Sequence, residues 1–242
     1  MYLTRQDKQI INNFSKIIKN LEFKKDLATM SNMRHIVAEY TLQCDEFKPF
    51  LIYDTPTFLR CLNSFLYPSV EILDDKVFLS DEKSKMKYFT AEKAICVLPK
   101  EPIKKTIGDL TPDTQFEMSF SIMKDLQRVN EVLQLPNLII KPDEENFHSF
   151  TYTDIKDKKS NEFSISTYHK TNRNYEARVS NSSELPIMIS NYKVSIFEHR
   201  FMLLECVNIP LKYLIALEPK PQPDSKEREI IKYYAENQKR YD

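Results

Sequence analysis

Apolar and polar positions along the chain follow two periods, and their alternation predicts an ordered series of elements. Over residues 4–21 the period is helical: at about 100° per residue Ile10, Phe14, Ile17 and Leu21 share one narrow stripe, with Thr4 as N-cap. Segments 35–42 (HIVAEYTL) and 49–53 (PFLIY) read as strands. A second helix is expected over 55–66, after Asp54 as candidate N-cap and with Pro56 in its first turn. It would bury Phe58, Leu59, Leu62, Phe65 and Leu66 and turn Arg60 away. Strands follow at 70–73, 76–79, 85–90 and 94–98, the first two joined by a tight turn at Asp74-Asp75.

Between 99 and 114 the period disappears. PKEPIKKTIGDLTPDT holds three prolines and the chain's one glycine, Gly108, which is a linker signature. The plan then repeats. A strand at 115–120 precedes a helix over 121–135, with Ile122, Leu126, Val129 and Leu133 inward and Lys124 and Arg128 outward. Strands follow at 138–140, 147–153 and 162–168. Residues 184–190 lead into a short, weakly patterned helix over 191–196, and strands at 199–206 and 211–217 close the fold. The expected division is therefore a first domain over 1–98, a linker over 99–114, a second domain over 115–218 and a charged tail over 219–242. In the tail Ile230, Tyr234 and Tyr241 can share a helix face; a docking helix and a disordered tail are the two readings.

Composition then removes function classes. A phosphate-cradling Walker loop, a dinucleotide fingerprint and a nucleophile elbow each need at least two glycines, and the chain has one. Cys44, Cys61, Cys96 and Cys206 form no CxxC pair and read as reduced thiols of a cytoplasmic protein. His35, His148, His169 and His199 stand singly, without metal-ligand spacing, and each reads as a structural or surface residue. Asp74-Asp75 and Glu144-Glu145 fall in turns. With no nucleophile–base pair in view, the expectation is a protein that is not an enzyme and holds neither cofactor nor metal. No apolar run approaches the ~18 residues of a membrane span, and the first residues lack the apolar core of a secretory signal.

Thirty-five Lys and Arg balance thirty-five Asp and Glu, which argues against a uniformly basic surface but not against segregated charge. Arg5, Lys8, Asn12, Lys16 and Lys19 line up opposite the apolar stripe of the first helix, with no acid among them. A solvated face is the ordinary reading, yet exposed helices usually mix signs for i,i+4 pairing. Arg60, Lys124 and Arg128 occupy the matching faces of two further helices, and Lys193 adds to them from the fourth. Side by side these faces make a basic surface that contacts phosphates without reading bases.

Several segments, in order, resemble the replication sliding clamps of large tailed bacteriophages, which are related in fold to proliferating cell nuclear antigen. They are FLIYDTPTFLRCLNSF (50–65), FTAEKAICVLP (89–99), FEMSFSIMKDLQRVNEVLQL (116–135), PIMISNYKVSIF (186–197) and LKYLIALEPK (211–220). The resemblance covers residues 1–218 and implies an α+β sliding-clamp fold of two similar domains, each with two helices packed on antiparallel sheets. It implies a head-to-tail homotrimeric ring, helices inward on duplex DNA, with edge strands pairing between subunits, here over 86–98 and 162–168.

It also implies a processivity factor that tethers a DNA polymerase, is opened by a separate ATP-driven clamp loader and works in the cytoplasm of an infected bacterium. Family members bind apolar C-terminal peptides of the polymerase beside the linker. The matching positions are Ile103, Ile107, Leu110, Leu217 and Pro219, for which ordinary packing under a loop is the other reading. Two rival functions stay open: a DNA-binding processivity factor that does not encircle, and a β-rich phage structural or assembly protein.

Overall fold

The computed structural model of the chain describes residues 3–45, 47–66, 68–157, 159–180 and 185–219. The tail expected beyond Pro219 lies outside the described residues. Capping decides where the helices begin. Thr4 Oγ1 accepts from the Asp7 N–H while the Asp7 carboxylate accepts from the Thr4 N–H, and this capping box opens α1 (Arg5–Ile17). Ile18 is extended, so the helix stops short of the expected Leu21, which enters β1 (Leu21–Phe23) instead. Helix α2 (Thr55–Asn63) starts on Asp54, whose Oδ1 accepts from the Thr57 N–H. Because it ends at Asn63, Leu66 leaves the apolar stripe; expected inside, it is 83% exposed. The five-residue α3 (Ile103–Ile107) lies in the 99–114 linker. Ser119 caps α4 (Phe120–Leu133), which ends on a left-handed Gln134 (φ 48°).

The remaining strands are β2 (Asp26–Met30), β3 (Ile36–Thr41), β4 (Phe50–Ile52), β5 (Ser69–Ile72), β6 (Lys76–Ser80), β7 (Lys85–Phe89), β8 (Thr114–Met118), β9 (Asn137–Pro142), β10 (Phe147–Thr153), β11 (Phe163–Lys170), β12 (Ala177–Ser180), β13 (Tyr192–Phe197), β14 (Phe201–Cys206) and β15 (Leu211–Ala216). Two expectations fail here. The helix expected over 191–196 is β13: it pairs with β14 on one side and β8 on the other, sending Tyr192, Val194 and Ile196 to one buried face and Ser195 and Phe197 to the other. The strand expected over 94–98 is a single 3₁₀ turn, Lys93–Ile95, and then irregular chain. The Asn20 side chain takes the place of a partner strand there, donating to the Val97 carbonyl (2.9 Å) and accepting from its N–H (3.3 Å).

All pairing is antiparallel. The central sheet runs β2-β3-β15-β14-β13-β8 and so joins strands from before and after the linker. A three-stranded sheet β5-β6-β7, a four-stranded sheet β11-β10-β9-β12 and the pair β1-β4 complete the fold. β7 and β11 are each the outer strand of their sheet.

One face of the central sheet, with Tyr40, Tyr192 and Tyr213, packs with Ile10 and Phe14 of α1 in a single core that also takes in α2 and α4. A buried polar lock ties α1 to the second half. The Tyr213 hydroxyl donates to Asn13 Oδ1 (2.7 Å), and Asn13 Nδ2 donates to the Pro186 carbonyl (2.5 Å).

Candidate nucleic-acid interface

Helix α1 presents the most one-sided charge in the fold. Ile10, Ile11 and Phe14 are buried, so Arg5, Asn12 and Lys16 are left exposed and Lys8 half-buried. Among the described residues none of Arg5, Lys8, Lys16 and Lys19 makes an ion pair. Lys19 lies past the end of the helix, exposed, rather than on it.

The one acid of α1, Asp7, is wholly buried and turned the other way. It accepts from the Thr4 N–H (2.8 Å), Thr4 Oγ1 (2.7 Å), the Tyr40 hydroxyl (2.9 Å) and the Gln43 N–H (3.1 Å). Burial and this carboxylate push the Tyr40 hydroxyl pKa up. Asp7 therefore fixes the angle at which the cationic stripe stands. The spacing Thr4-x-x-Asp7 was the sequence signal for the cap; its long-range partners carried none.

On α2, Arg60 is exposed and donates to Thr57 Oγ1 (2.7 Å). Thr57 in turn hydrogen-bonds the Asp54 carboxylate, holding its pKa below the ordinary range. On α4, Lys124 and Arg128 are exposed, but Arg128 pairs with Asp125 (3.2 Å). Lys193 leaves the group. It stands on β13, on the sheet face away from α1, α2 and α4, in register with Glu117 and Glu205. Its assignment to a fourth basic helix is corrected accordingly.

The linker residues divide. Ile103 (1% exposed) and Ile107 pack with Val37, Phe197, Phe201, Leu203 and Leu214 on the outer face of the central sheet, and the Ile103 N–H donates to Glu39 Oε1 (2.6 Å). Leu217 is buried in the main core on the other face, while Leu110 and Pro219 are exposed. None of the five lines the cleft of about 640 Å³ that opens between Pro99–Pro102 and the start of β2. Helix α3 is thus a strap held by two isoleucines and one hydrogen bond. Ile103→Ala is expected to speed hydrogen exchange of the 104–108 amides at least about thirtyfold. Global unfolding should move little in the same sample, and an equal acceleration of both would show the strap to be part of the main cooperative unit.

Comparison of the sequence with family models and with curated proteins gives no match. The fold does match. The chain superposes on proliferating cellular nuclear antigen from Entamoeba histolytica with a TM-score of 0.61 at 14% identity, covering 87% of this chain and 94% of that one. It matches A. fulgidus PCNA, solved with the C-terminal region of FEN-1, at 0.61 and 12%, covering 89% and 96%. It matches the Helicobacter pylori beta clamp, solved with a DNA ligase peptide, at 0.60 and 14%, covering 93% and 68%. The fold is the sliding-clamp fold, with helices packed on antiparallel sheets.

Proposed function

We propose that this chain is a subunit of a replication sliding clamp. Residues 1–98 and 115–218 form two clamp domains joined by the linker, and three copies close head to tail around duplex DNA. The ring tethers a DNA polymerase as a processivity factor, and a separate ATP-driven loader opens it. The setting that fits is a tailed bacteriophage acting in its bacterial host. One observation carries the reading: on a sliding-clamp fold, α1 exposes a row of cations with no ion pair among the described residues to neutralise them. Such a row holds phosphates without sequence preference and loosely enough to slide.

Two further features support self-association. β7 and β11 are unpaired at their outer edges, which invites pairing between copies. Exposed apolar side chains stand beside both, Phe89 on β7 and Tyr168 on β11. The solved clamps with a FEN-1 segment and a ligase peptide support a partner peptide here, taken from the polymerase's C-terminus and seated on the linker side of the sheet beside Ile103, Ile107 and Leu110. Pro219 is exposed nearby in the chain, and Leu217 is left in the core on the other face.

The test is retention after loading on closed circular and on linear DNA. A ring stays on circles and runs off free ends; equal loss from both sinks encirclement. Light scattering should give a mass near three times 28.7 kDa at concentrations that hold the ring together. Reversing Lys8, Lys16 and Lys124 to Glu is expected to slow loading at least about tenfold, because steering by charge is lost, while unfolding is unchanged.

A further inference from the structure

Alternation along β5, β6 and β7 sorts their side chains onto two faces. Val70, Val77 and Leu79 are buried, with Met86 and Tyr88 packed on the same side. The opposite, outer face carries Lys76 and Phe78 of β6 and Lys85, Lys87 and Phe89 of β7. The register sets Lys76 against Phe89 and Phe78 against Lys87, so cations and rings alternate as on a checkerboard. Lys85 Nζ stands 4.1 Å from the centre of the Phe78 ring and Lys87 Nζ 4.9 Å from that of Phe89. Phe89 is 61% exposed, an unusual position for a phenyl ring.

One acid stands on this face itself, Glu71 of β5 directly opposite Phe78 in register, and the others lie at its margins. Lys76 pairs with Asp75 at 3.3 Å and Lys85 with Glu71 at 3.8 Å; both are solvent-facing pairs that contribute little and exchange readily for a phosphate. Lys87 has no ion pair among the described residues. Asp81 and Glu82 lie in the β6–β7 turn, where Asp81 Oδ1 already accepts from the Lys83 and Ser84 N–H groups.

We propose that this outer face binds single-stranded nucleic acid. Bases stack on Phe78 and Phe89 where the ammonium groups now sit, and Lys76, Lys85 and Lys87 swing to the phosphates. A duplex hides its base faces and cannot use the rings, whereas an unpaired strand offers both a stacking face and a phosphate at every step. This distinguishes the patch from the cationic row of α1, which has no ring between its charges. Pairing along the backbone edge of β7 leaves the face open, so the proposal does not depend on ring closure.

The experiment is fluorescence anisotropy of a labelled twenty-nucleotide oligo(dT) against the full chain, with its RNA counterpart and a hairpin duplex of equal charge as parallel arms. Oligo(dT) should bind in a salt-dependent manner and more tightly than the duplex; a tighter RNA arm would assign the face to RNA. Phe89→Ala and the pair Lys85→Glu with Lys87→Glu should each weaken oligo(dT) binding about tenfold, and Phe89→Tyr should restore it. Lys8→Glu with Lys16→Glu should weaken it clearly less than the sheet variants do. No binding by the unaltered chain, or a loss caused by the α1 variants and not by the sheet variants, overturns the proposal. Because retention on circles reports on the ring and oligo(dT) on the sheet, either reading can fail alone.

Discussion

Replacing Asp7 by Ala is expected to cost about 3–5 kcal/mol of stability, among the largest effects available from one side chain in this protein. The reason is the number of donors it leaves behind. The Thr4 N–H, the Gln43 N–H and the Tyr40 hydroxyl all end on this carboxylate, and water cannot replace it at a residue 0% exposed. The cap of α1 fails in the same substitution, because Thr4 loses its reciprocal partner. At this chain length the loss corresponds to a fall in melting temperature of about 10 °C or more.

Tyr40→Phe removes one of the four bonds and leaves the cap intact, so it should cost only about 1 kcal/mol. A double-mutant cycle between the two positions then measures their coupling. If Asp7→Ala melts within a degree or two of the unaltered chain, the carboxylate is not the pin described here. The effect matters for function because α1 carries the unpaired cations. A helix that frays at Thr4 no longer holds Arg5 and Lys8 in line with Lys16.

Whether an element could be read from the sequence depended on whether its determinants were local. Helices α1, α2 and α4 were readable because stripe and cap lie within one stretch of chain: Thr4 before Ile10 and Phe14, Asp54 before Phe58 and Leu62. The end of α1 was not, since Leu21 continues the helical spacing and only its pairing with Ile52 across β1 and β4 pulls it into a strand. Segment 94–98 has a strand's composition, yet its backbone finds the Asn20 side chain rather than a neighbouring strand. YKVSIF had the period of a strand all along; the expectation that the second half would repeat the first in full outweighed Tyr192, Val194 and Ile196.

The candidate interface divides in the same way. The row on α1 follows from helical spacing alone. That Lys193 faces away from α1, α2 and α4, and that Ile103 and Leu217 lie on opposite faces of one sheet, depends on long-range pairing that no local pattern encodes. The outer face of β6 and β7 was missed for a related reason. Its lysines and phenylalanines alternate across strands, and each strand by itself reads as an ordinary half-buried segment.

The second large effect is set by pH. His148 is 1% exposed near the start of β10, its ring stacked on Phe116 of β8 (3.9 Å between centres) and its Nδ1 2.6 Å from the Tyr175 hydroxyl. Burial, reinforced by the neighbouring His169, lowers its pKa from the ordinary 6.5 to about 4. The folded chain therefore keeps this ring neutral over a range in which the unfolded chain protonates it. Stability is full above pH 6.5 and falls as the solution is acidified from there toward about 4, below which both states carry the proton.

Each pH unit inside that window costs about 1.4 kcal/mol, so crossing all of it removes about 3 kcal/mol. Asp54 and Asp143 work in the same sense but in a lower pH window. Their hydrogen bonds hold their pKa values below the carboxylate range, so their contribution is lost only at lower pH still. Urea unfolding between pH 7.5 and 4.5 should accordingly show a steady decline in the unaltered chain. In His148→Gln the curve should start lower and run flatter. If the two curves stay parallel, other groups control the acid response. Phe116 belongs to the central sheet and His148 to the four-stranded one, so a proton forced onto this ring acts where the two sheets of the second half meet. Acid should loosen that junction, with α4 packed against it, before it reaches the core around α1.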